Sequence, residues 1–450
     1  MVYLIKSVRR DGVILQSLAG GSVRYAPPGM CLNDFAVMQS GGLYHLLHLQ
    51  GPWTPVFDER AMETSYGHAT SHDLVEWRTQ APCFGVSAPG SFDSSAVWTM
   101  HPFPVRDGVV AMAYTGVNAR PWAEQAIGMA ITGEDDATGW MRMSRDSVVR
   151  ADPRWYRTEH PMAWRDPFVV ENPEGGWAMV VCAASAEHPV GSAGCVGFAT
   201  SHDLLEWDVQ PPLILPGDVD EFECPVLETT PDGWLLLGSI ASSHQIEAWR
   251  SPALTGPWER LGPIAPAGPY APRLVTGPDG RRLLLHTVQR RTQLTDSGAP
   301  CRGMLAQPKV FDLSVPAEPR LTWWRGNETH LEEDWAVRAG DGMALVDSTR
   351  PGSLPLREDG GLVLSWNGTR VSVGCEETTL RSPAAVLRLL LVGEYVEVYA
   401  DDVLVLSVVN YEPRGVLPVP IRPLKPIGAA RDDVSALRLT STRHLSRVCG

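Results

Sequence analysis

A nine-residue stretch of this chain occurs twice in almost the same form, and this repeat limits the possible folds more than any other feature. Residues 69–77 read ATSHDLVEW, and residues 199–207 read ATSHDLLEW, 130 positions later. Degenerate copies occupy residues 131–140 and 250–258. Five tryptophans mark the period, at positions 77, 140, 207, 258 and 324. Their spacing has room for about one sheet of four short strands in each period.

A second pattern precedes each copy, and it consists of two apolar runs separated by a tight turn that contains glycine. The five turns lie at residues 41–42, 107–108, 175–176, 232–233 and 279–280. Turns of this kind between apolar runs favour β-hairpins. Five hairpins, each followed by a turn and a tryptophan, predict a five-bladed β-propeller over roughly residues 20–325, in a domain bounded at 1–325.

The repeat stops near residue 327, and a different pattern follows. Apolar and polar residues alternate at 362–366, 386–392, 395–399 and 403–407, with Gly, Asn and Asp turns between these segments. Such alternation is typical of antiparallel strands with one solvated face. The sequence therefore predicts a β-sandwich over residues 330–450 and an all-β fold for the whole chain.

Composition and charge exclude several classes of protein. The 450 residues include 38 Lys and Arg against 52 Asp and Glu, a net charge of -14, so we expect no nucleic-acid partner. The most apolar stretch, residues 384–392, is interrupted by Arg388 and is shorter than the ~18 residues of a membrane span. Because no export signal is visible, we expect a cytoplasmic protein, or a secreted one whose leader is not part of the sequence.

Four of the five predicted hairpins open on an acidic residue: Asp34, Asp93, Asp166 and Glu223. In a propeller the innermost strands converge on a central channel, so these carboxylates can meet although they are distant in sequence. One interpretation is that each is a solvated residue or caps a turn. Four at equivalent positions instead indicate a site that uses them, because like charges repel when they are brought together.

Two kinds of chemistry use such acidic clusters. The acidic loop of an EF-hand is absent, and the eight cysteines lack the spacing of a zinc site, so we expect free thiols, no metal and no cofactor. Glycoside hydrolysis uses one carboxylate as nucleophile or base and a second, protonated carboxyl as acid. The sequence contains no G-x-S-x-G, Walker or Rossmann motif that would indicate another chemistry.

Short motifs around the acidic residues follow one another in an order known from an enzyme family. They are Asn33-Asp34, Tyr44-His45-Leu46, Gly67-His68-Ala69, Arg165-Asp166-Pro167, Glu223-Cys224-Pro225, Tyr270-Ala271-Pro272 and Val396-Glu397-Val398-Tyr399. Together they resemble glycoside hydrolase family 32, which comprises invertases, inulinases, levanases and related fructosyltransferases. The resemblance extends over about residues 22–410.

The resemblance implies a five-bladed propeller with a C-terminal β-sandwich, and it implies a role for each acid. Asp34 is expected to be the nucleophile that forms a fructosyl-enzyme ester, and Glu223 the acid and base. Asp166 is expected to hold ring hydroxyls and to stabilise the transition state. Retention requires the carboxyls of Asp34 and Glu223 to lie about 5 to 5.5 Å apart. Arg165 is expected to contact Glu223 or substrate.

The same motifs suggest which residues surround the sugar. The expected substrate-binding residues are Asn33, Gln50, Trp53, Phe92, Asp93, Ser94, Arg165, Tyr270 and Arg273. Trp53, Trp98 and Trp122 are candidate stacking platforms, although most tryptophans of such a chain pack inside the blades.

Several positions depart from the family's pattern. Phe35 and Ala36 replace the Pro and Asn that usually follow the nucleophile, and Arg273 replaces a Gln. Phe92-Asp93-Ser94-Ser95 stands where the family usually has Phe-Ser-Gly-Ser, which adds the carboxylate of Asp93. We hypothesise that Asp93 and Arg273 change the recognition of the sugar or leaving group. The alternative for Asp93 is an ion pair with a neighbouring Arg.

The sequence therefore predicts a retaining glycoside hydrolase that acts on β-fructofuranosides, with a small carbohydrate as its partner and neither nucleic acid nor membrane. Three alternatives stay open: a fructosyltransferase, another furanosidase such as an arabinofuranosidase, and a sugar-binding propeller that has lost catalysis. The sequence does not indicate the oligomeric state.

Overall fold

The computed structural model describes residues 8–10, 13–15, 25–52, 63–106, 108–118, 124–133, 137–143, 149–328, 331–332, 341–356, 362–411 and 441–442. Nearly all regular structure in these ranges is β-strand. The helical segments described are two short 3₁₀ turns, Thr292–Leu294 and Arg325–Glu328. Neither of these turns is long enough to cross a bilayer.

After a short hairpin, four consecutive groups of strands form antiparallel sheets, each in chain order. The hairpin is β1 (Val8–Arg10) with β2 (Val13–Leu15). The first group is β3 (Met30–Ser40), β4 (Leu43–Pro52), β5 (Ser65–Ser71) and β6 (Arg78–Gly85). The second is β7 (Ala96–Arg106), β8 (Val109–Asn118), β9 (Glu124–Gly133) and β10 (Met141–Arg142). The third is β11 (Trp164–Glu171), β12 (Trp177–Ala184), β13 (Gly194–Ser201) and β14 (Asp208–Ile214). The fourth is β15 (Phe222–Thr230), β16 (Gly233–Ile240), β17 (Gln245–Ser251) and β18 (Glu259–Pro263).

A fifth group of strands joins the first group to the C-terminal region. It consists of β19 (Pro269–Thr276), β20 (Arg282–Arg291), β21 (Pro300–Leu305), β22 (Lys309–Asp312) and β23 (Arg320–Trp323). Strand β21 pairs with β3 through Gly303 and Leu32. One continuous sheet therefore runs from the first group through the fifth group and beyond it.

The remaining strands form the four-stranded end of this continuous sheet, a separate four-stranded sheet that shares a core with it, and a two-stranded pair. The pair is β24 (Leu331–Glu332) with β33 (Ser441–Thr442). One sheet contains β25 (Asp341–Asp347), β30 (Val386–Val392), β31 (Tyr395–Ala400) and β32 (Val403–Val409). The other contains β26 (Gly352–Pro355), β27 (Val363–Asn367), β28 (Arg370–Val373) and β29 (Glu376–Thr379). Leu364, Trp366, Leu389, Val398 and Leu406 form part of the apolar core between the two sheets.

The five hairpins predicted from the glycine turns are confirmed. They are the strand pairs β3/β4, β7/β8, β11/β12, β15/β16 and β19/β20. We call β3, β7, β11, β15 and β19 the leading strands. Each leading strand contacts the next one, and β19 contacts β3, so the five leading strands are neighbours in a cycle.

The repeated nine-residue tag forms the turn between the third and fourth strands of a group. The hydroxyl of Ser201 accepts the N–H groups of Asp203 and Leu204 at 3.2 and 2.9 Å. Ser71 accepts the corresponding two bonds in the first group. Leu204 has a positive φ of 66° that this side-chain bonding supports. The tag is therefore repeated because it encodes a specific turn.

The tryptophans that follow three of these turns hold the turn backbone. The indole N–H groups of Trp140, Trp207 and Trp258 donate to backbone carbonyls at 2.8, 3.2 and 3.2 Å. The acceptors are Ala137, Leu204 and Leu254. Trp140 and Trp258 of the degenerate copies therefore bond the preceding backbone in the same way as Trp207 of an exact copy.

Each leading strand is interrupted by a β-bulge or register shift near its start. The unpaired residues are Asn33-Asp34 in β3, Thr99 in β7, Asp166-Pro167 in β11, Cys224-Pro225 in β15 and Ala271-Pro272 in β19. Bulges turn side chains away from the regular ladder and often occur beside functional sites. Hydrogen bonds join the bulge of β3 to that of β7 and the bulge of β11 to that of β15.

Candidate active site

Asp34 lies in the bulge of β3 and faces the bulge of the neighbouring leading strand. The hydroxyl of Thr99, in the bulge of β7, donates a hydrogen bond to Oδ2 of Asp34. Burial and the negative charge of Asp166 raise the pKa of Asp34 to about 7, and the bond from Thr99 opposes this rise. Asp34 is therefore a carboxyl group that changes its charge near neutral pH.

Asp166 occupies the equivalent bulge of β11 in a left-handed backbone conformation with a φ of 60°. Two hydrogen bonds hold this conformation. Its backbone N–H donates to Oγ1 of Thr115 at 2.9 Å, and its Oδ2 accepts the backbone N–H of Cys224 at 3.0 Å. Burial raises the pKa of Asp166, while the nearby cation of Arg165 opposes this rise. The carboxyl is thus fixed between two leading strands.

Glu223 is the last paired residue before the bulge of β15, and two neighbours hold its carboxylate. Nη2 of Arg165 donates to Oε1 of Glu223 at 2.6 Å. The hydroxyl of Tyr270, from β19, donates to Oε2. The expected contact between Arg165 and Glu223 is therefore confirmed.

Arg165 connects the acidic residues of two leading strands. Its Nε lies 3.9 Å from Oδ2 of Asp166, and its Nη2 also donates to Oε2 of Glu221 at 2.7 Å. The Arg165 side chain is only 10% exposed, whereas that of Glu223 is 22% exposed and that of Glu221 is 40% exposed. The acidic cluster therefore opens to solvent on the side of Glu223 and Glu221.

Asp34, Asp166 and Cys224 place three potential metal-ligand atoms within 4.8 Å of one another. A cysteine binds metal as the thiolate, so its protonation state decides whether it can serve. Burial and the charges of Asp34 and Asp166 raise the pKa of Cys224 well above its usual value. In the metal-free site the Cys224 thiol therefore keeps its proton, and the two carboxyl groups of Asp34 and Asp166 interact directly.

Arg273 is a buried cation beside this cluster. It follows the bulge of β19, is 4% exposed, and donates through Nη1 to the carbonyl oxygen of Pro272 at 2.8 Å. Within the described residues, its Nε and Nη2 have no hydrogen-bond partner. Its positive charge opposes part of the rise in the pKa of Asp34, and burial together with this charge lowers the pKa of His101. Arg273 therefore offsets part of the negative charge of the acids.

Residues 25–245 match the family model described as Glycosyl hydrolases family 32 N-terminal domain, a range that contains all three acids. Residues 25–245 of the chain belong to glycosyl hydrolase family 32.

Individual family 32 proteins resemble the chain over different lengths. A fructan 6-exohydrolase from Beta vulgaris is 24% identical over 169 residues, which cover 37% of this chain and 26% of that protein. The match thus spans about a quarter of this curated relative. Among solved structures, sucrose-6-phosphate hydrolase from Lactobacillus gasseri superposes with a TM-score of 0.69 at 16% identity, covering 92% of this chain and 91% of that one. A Bombyx mori β-fructofuranosidase mutant, solved in complex with sucrose, gives 0.63 at 17% identity and covers 87% and 88%. The all-β fold is shared with these family 32 structures.

Asp93 does not lie where its position in the sequence pattern suggested. It precedes β7 by three residues, and the bulge of that strand is formed by Thr99 instead. The Asp93 side chain is fully buried, accepts the Tyr114 hydroxyl at 3.0 Å and pairs with Nε of Arg142 at 2.8 Å. The alternative of an ion pair with a neighbouring Arg is confirmed, while a role in substrate binding stays a prediction.

Of the other predicted substrate-binding residues, some lie beside Asp34, some pack elsewhere in the sheets, and some lie outside the described residues. Asn33 lies in the bulge beside Asp34, and Gln50 is the cross-strand partner of Leu32 next to it. Phe92 is buried against Gly116 and Gly128, where a Cβ atom would clash with its ring, and the N–H of Ser94 donates to Ser91. Trp53 and Trp122 lie outside the described residues, and the half-buried Trp98 pairs with Thr115.

The sequence analysis missed two residues of the cluster, Thr99 and Glu221. A hydroxyl carries no charge, so nothing in the sequence distinguished Thr99 from the other threonines of the chain. Glu221 precedes Glu223 by two positions, and alternate residues of an extended chain lie on the same side. That spacing was the signal that could have identified Glu221.

Proposed function

We propose that this family 32 protein is a retaining hydrolase of β-fructofuranosides, with Asp34 as nucleophile, Glu223 as acid and base, and Asp166 as stabiliser of the transition state. The observation that carries the proposal is the convergence of three acids from three leading strands. Arg165 contacts both Glu223 and Asp166, and the charges of Asp166 and Glu223 both act on Asp34. Family membership and the sucrose complex of the Bombyx mori structure favour a fructoside as substrate.

In the first step, a carboxylate oxygen of Asp34 attacks the anomeric carbon of the fructosyl unit. The bond from this carbon to the leaving oxygen breaks, and Glu223 transfers its proton to that oxygen. Because Thr99 holds Oδ2 of Asp34, we assign the attack to Oδ1. Asp166 faces the positive charge that develops on the ring.

In the second step, Glu223 is ionised and acts as a base. It removes a proton from water as the water oxygen attacks the anomeric carbon, and the ester bond to Asp34 breaks. Arg165 and Tyr270 contact different oxygens of Glu223, so they orient the carboxylate in both steps. The configuration at the anomeric carbon is retained because it is inverted twice.

We also propose that the five groups of strands are the blades of a propeller in a domain spanning residues 1–325. The cyclic contacts among the leading strands support this arrangement. The two sheets that share a core would then form a β-sandwich domain within residues 330–450. The bulges of the leading strands would line the central channel, which explains why the acids meet there.

Product analysis tests the proposed function. We expect the protein to release fructose from at least one of sucrose, inulin, levan and short fructo-oligosaccharides, with retention of configuration by NMR. Asp34→Asn should lower kcat/KM by at least about 10³-fold, because the amide cannot form the ester. Asp152→Asn, at a half-buried aspartate that pairs with Arg154 outside the cluster, is the matched control and should leave kcat/KM unchanged.

Each alternative gives a different result in the same experiment. Binding of these sugars without any product would identify a sugar-binding protein, and transfer of fructose to a sugar acceptor would identify a transferase. Release of arabinose alone from an arabinofuranoside would identify a pentofuranosidase. Full activity in Asp34→Asn would show that the nucleophile is another residue.

A further inference from the structure

Glu221 and Glu223 share one nitrogen atom of a buried arginine. Nη2 of Arg165 donates to Oε2 of Glu221 at 2.7 Å and to Oε1 of Glu223 at 2.6 Å. Arg165 is buried, so bulk water does not weaken these bonds as it weakens those of a surface ion pair. A change in the charge of Glu221 must therefore change the strength of the hydrogen bond that Arg165 donates to Glu223.

The charges in the cluster do not balance. Four carboxyl groups belong to it, namely Asp34, Asp166, Glu221 and Glu223, and two cations oppose them, Arg165 and Arg273. Full ionisation of all four acids would leave a net negative charge in a largely buried site, which is unfavourable. Burial and the charge of Glu223 raise the pKa of Glu221. Burial likewise raises the pKa of Asp34 and of Asp166, as is expected for interacting carboxyl groups.

The groups that face Glu223 come from five strands and from the segment before β15. They are Asp34 of β3, Arg165 and Asp166 of β11, Cys182 of β12, Glu221 and Cys224 beside it in sequence, and Tyr270 of β19. Tyr270 and Cys182 keep their protons, since burial raises the pKa of each well above its usual value. Glu221 differs from the other three acids because it is not in one of the proposed catalytic roles.

We propose that Glu221 is a positioning residue that keeps Glu223 protonated, and so ready to act as an acid, by dividing the hydrogen bonds of Arg165 and repelling ionised Glu223. This inference rests on the proposed function, in which Glu223 gives its proton to the leaving oxygen. Without the charge of Glu221, Nη2 of Arg165 would be free to bond Glu223 more strongly and would stabilise the ionised form of Glu223. The acid would then lose its proton at a lower pH.

The variant Glu221→Gln tests this inference through the pH dependence of kcat/KM for the fructoside that the wild-type protein cleaves. We expect the alkaline limb of the profile to move to lower pH by about 1 unit, because a neighbouring negative charge has been removed. Above neutral pH the variant should therefore be about tenfold slower than the wild type, with little difference at acidic pH. Glu221→Asp keeps the charge, so its alkaline limb should lie closer to that of the wild type.

The dependence on the leaving group separates this role from a structural one. A nitrophenyl β-fructofuranoside leaves without much help from an acid, so Glu221→Gln should slow its cleavage far less than that of a sugar leaving group. Glu228→Gln is the matched control, because Glu228 lies on the same strand β15 and pairs with Arg282 instead of Arg165. Its pH profile should equal that of the wild type.

The results distinguish a failed inference from a failed function. If the wild-type protein cleaves a fructoside and Glu221→Gln has the profile of Glu228→Gln, Glu221 does not control the acid. An equal loss at every pH and with both kinds of leaving group would likewise overturn the inference and indicate a structural role. If the wild-type protein cleaves no fructoside, the proposed function itself is wrong.

Discussion

At the scale of single residues, the acids of the cluster repel one another, and Asp34 is the residue most affected. An attacking carboxylate must be ionised, yet burial and Asp166 raise the pKa of Asp34 to about 7. The fraction of ionised Asp34 therefore falls about tenfold for each pH unit below this value. If Asp34 is the nucleophile, kcat/KM should decline from about pH 7 toward lower pH.

Thr99→Val provides a test of this dependence, because valine has the shape of threonine without the hydroxyl. The hydrogen bond from Thr99 favours the ionised form of Asp34 and lowers its pKa, so its loss should raise that pKa further. We expect the acid limb of the kcat/KM profile to move to higher pH by up to about 1 unit, with a smaller effect at alkaline pH.

A second threonine serves as the control for that variant. Thr79 bonds the hydroxyl of Tyr25, and Thr79→Val should leave the acid limb in place. An unchanged acid limb in Thr99→Val would show that the ionisation of Asp34 does not limit the reaction.

At the scale of elements, the chain repeats two local features, the tight turns and the β-bulges, and only the turns could be recognised in the sequence. The glycine turns and the tag gave the five hairpins because turn residues act through their own backbone and nearest neighbours. The bulges gave no such signal, since nothing local shows that Asp166, Cys224 and Ala271, each before a proline, adopt a positive φ. The sequence pattern therefore placed Asp93 at the start of the second hairpin's leading strand, whereas the bulge residue of that strand is Thr99.

Ser201→Ala tests whether the serine hydroxyl of the tag stabilises the turn. Loss of the hydroxyl leaves the N–H groups of Asp203 and Leu204 without their acceptor, which should lower the stability by about 1 to 2 kcal/mol. Ser71→Ala should cost a similar amount, because the two turns have the same bonds. Thermal unfolding measures the loss, and kcat/KM should not change.

Ser192→Ala is the control at a half-buried serine whose hydroxyl donates to the carbonyl oxygen of Pro189, outside the tag. It should change the stability by less than about 0.5 kcal/mol. Equal stability of Ser201→Ala and Ser192→Ala would show that the hydroxyl of the tag is dispensable and that its repetition has another cause.

At the scale of the whole molecule, a buried ion pair joins the fifth group of strands to the C-terminal sheets. Nζ of Lys309, at the start of β22, lies 2.8 Å from Oε1 of Glu397 in β31, and neither side chain is exposed. Tyr395, Tyr399 and Gln307 also donate to Glu397. Glu397 is part of a motif that can be recognised in the sequence. Its pairing with Lys309 could not be predicted, because it depends on how distant strands pack.

The continuous sheet crosses the same boundary. Thr322 of β23 pairs with Val403 of β32, so backbone bonds as well as the ion pair connect the two regions. The sequence placed a domain boundary between residues 325 and 330 from the end of the repeat alone. A change of repeat pattern shows where one kind of sheet ends, but it does not show whether the following sheet continues from it.

Lys309→Met tests whether the ion pair holds the two regions together. The variant leaves the charge of Glu397 buried without its cation, which should cost about 3 to 5 kcal/mol. In the background Glu397→Gln, which removes that charge, the same substitution should cost much less, since no unpaired ion remains. A double-mutant cycle on thermal unfolding measures this coupling. If the two changes are instead additive, Lys309 and Glu397 do not stabilise the fold as a pair, and the backbone pairing of β23 with β32 must supply the connection.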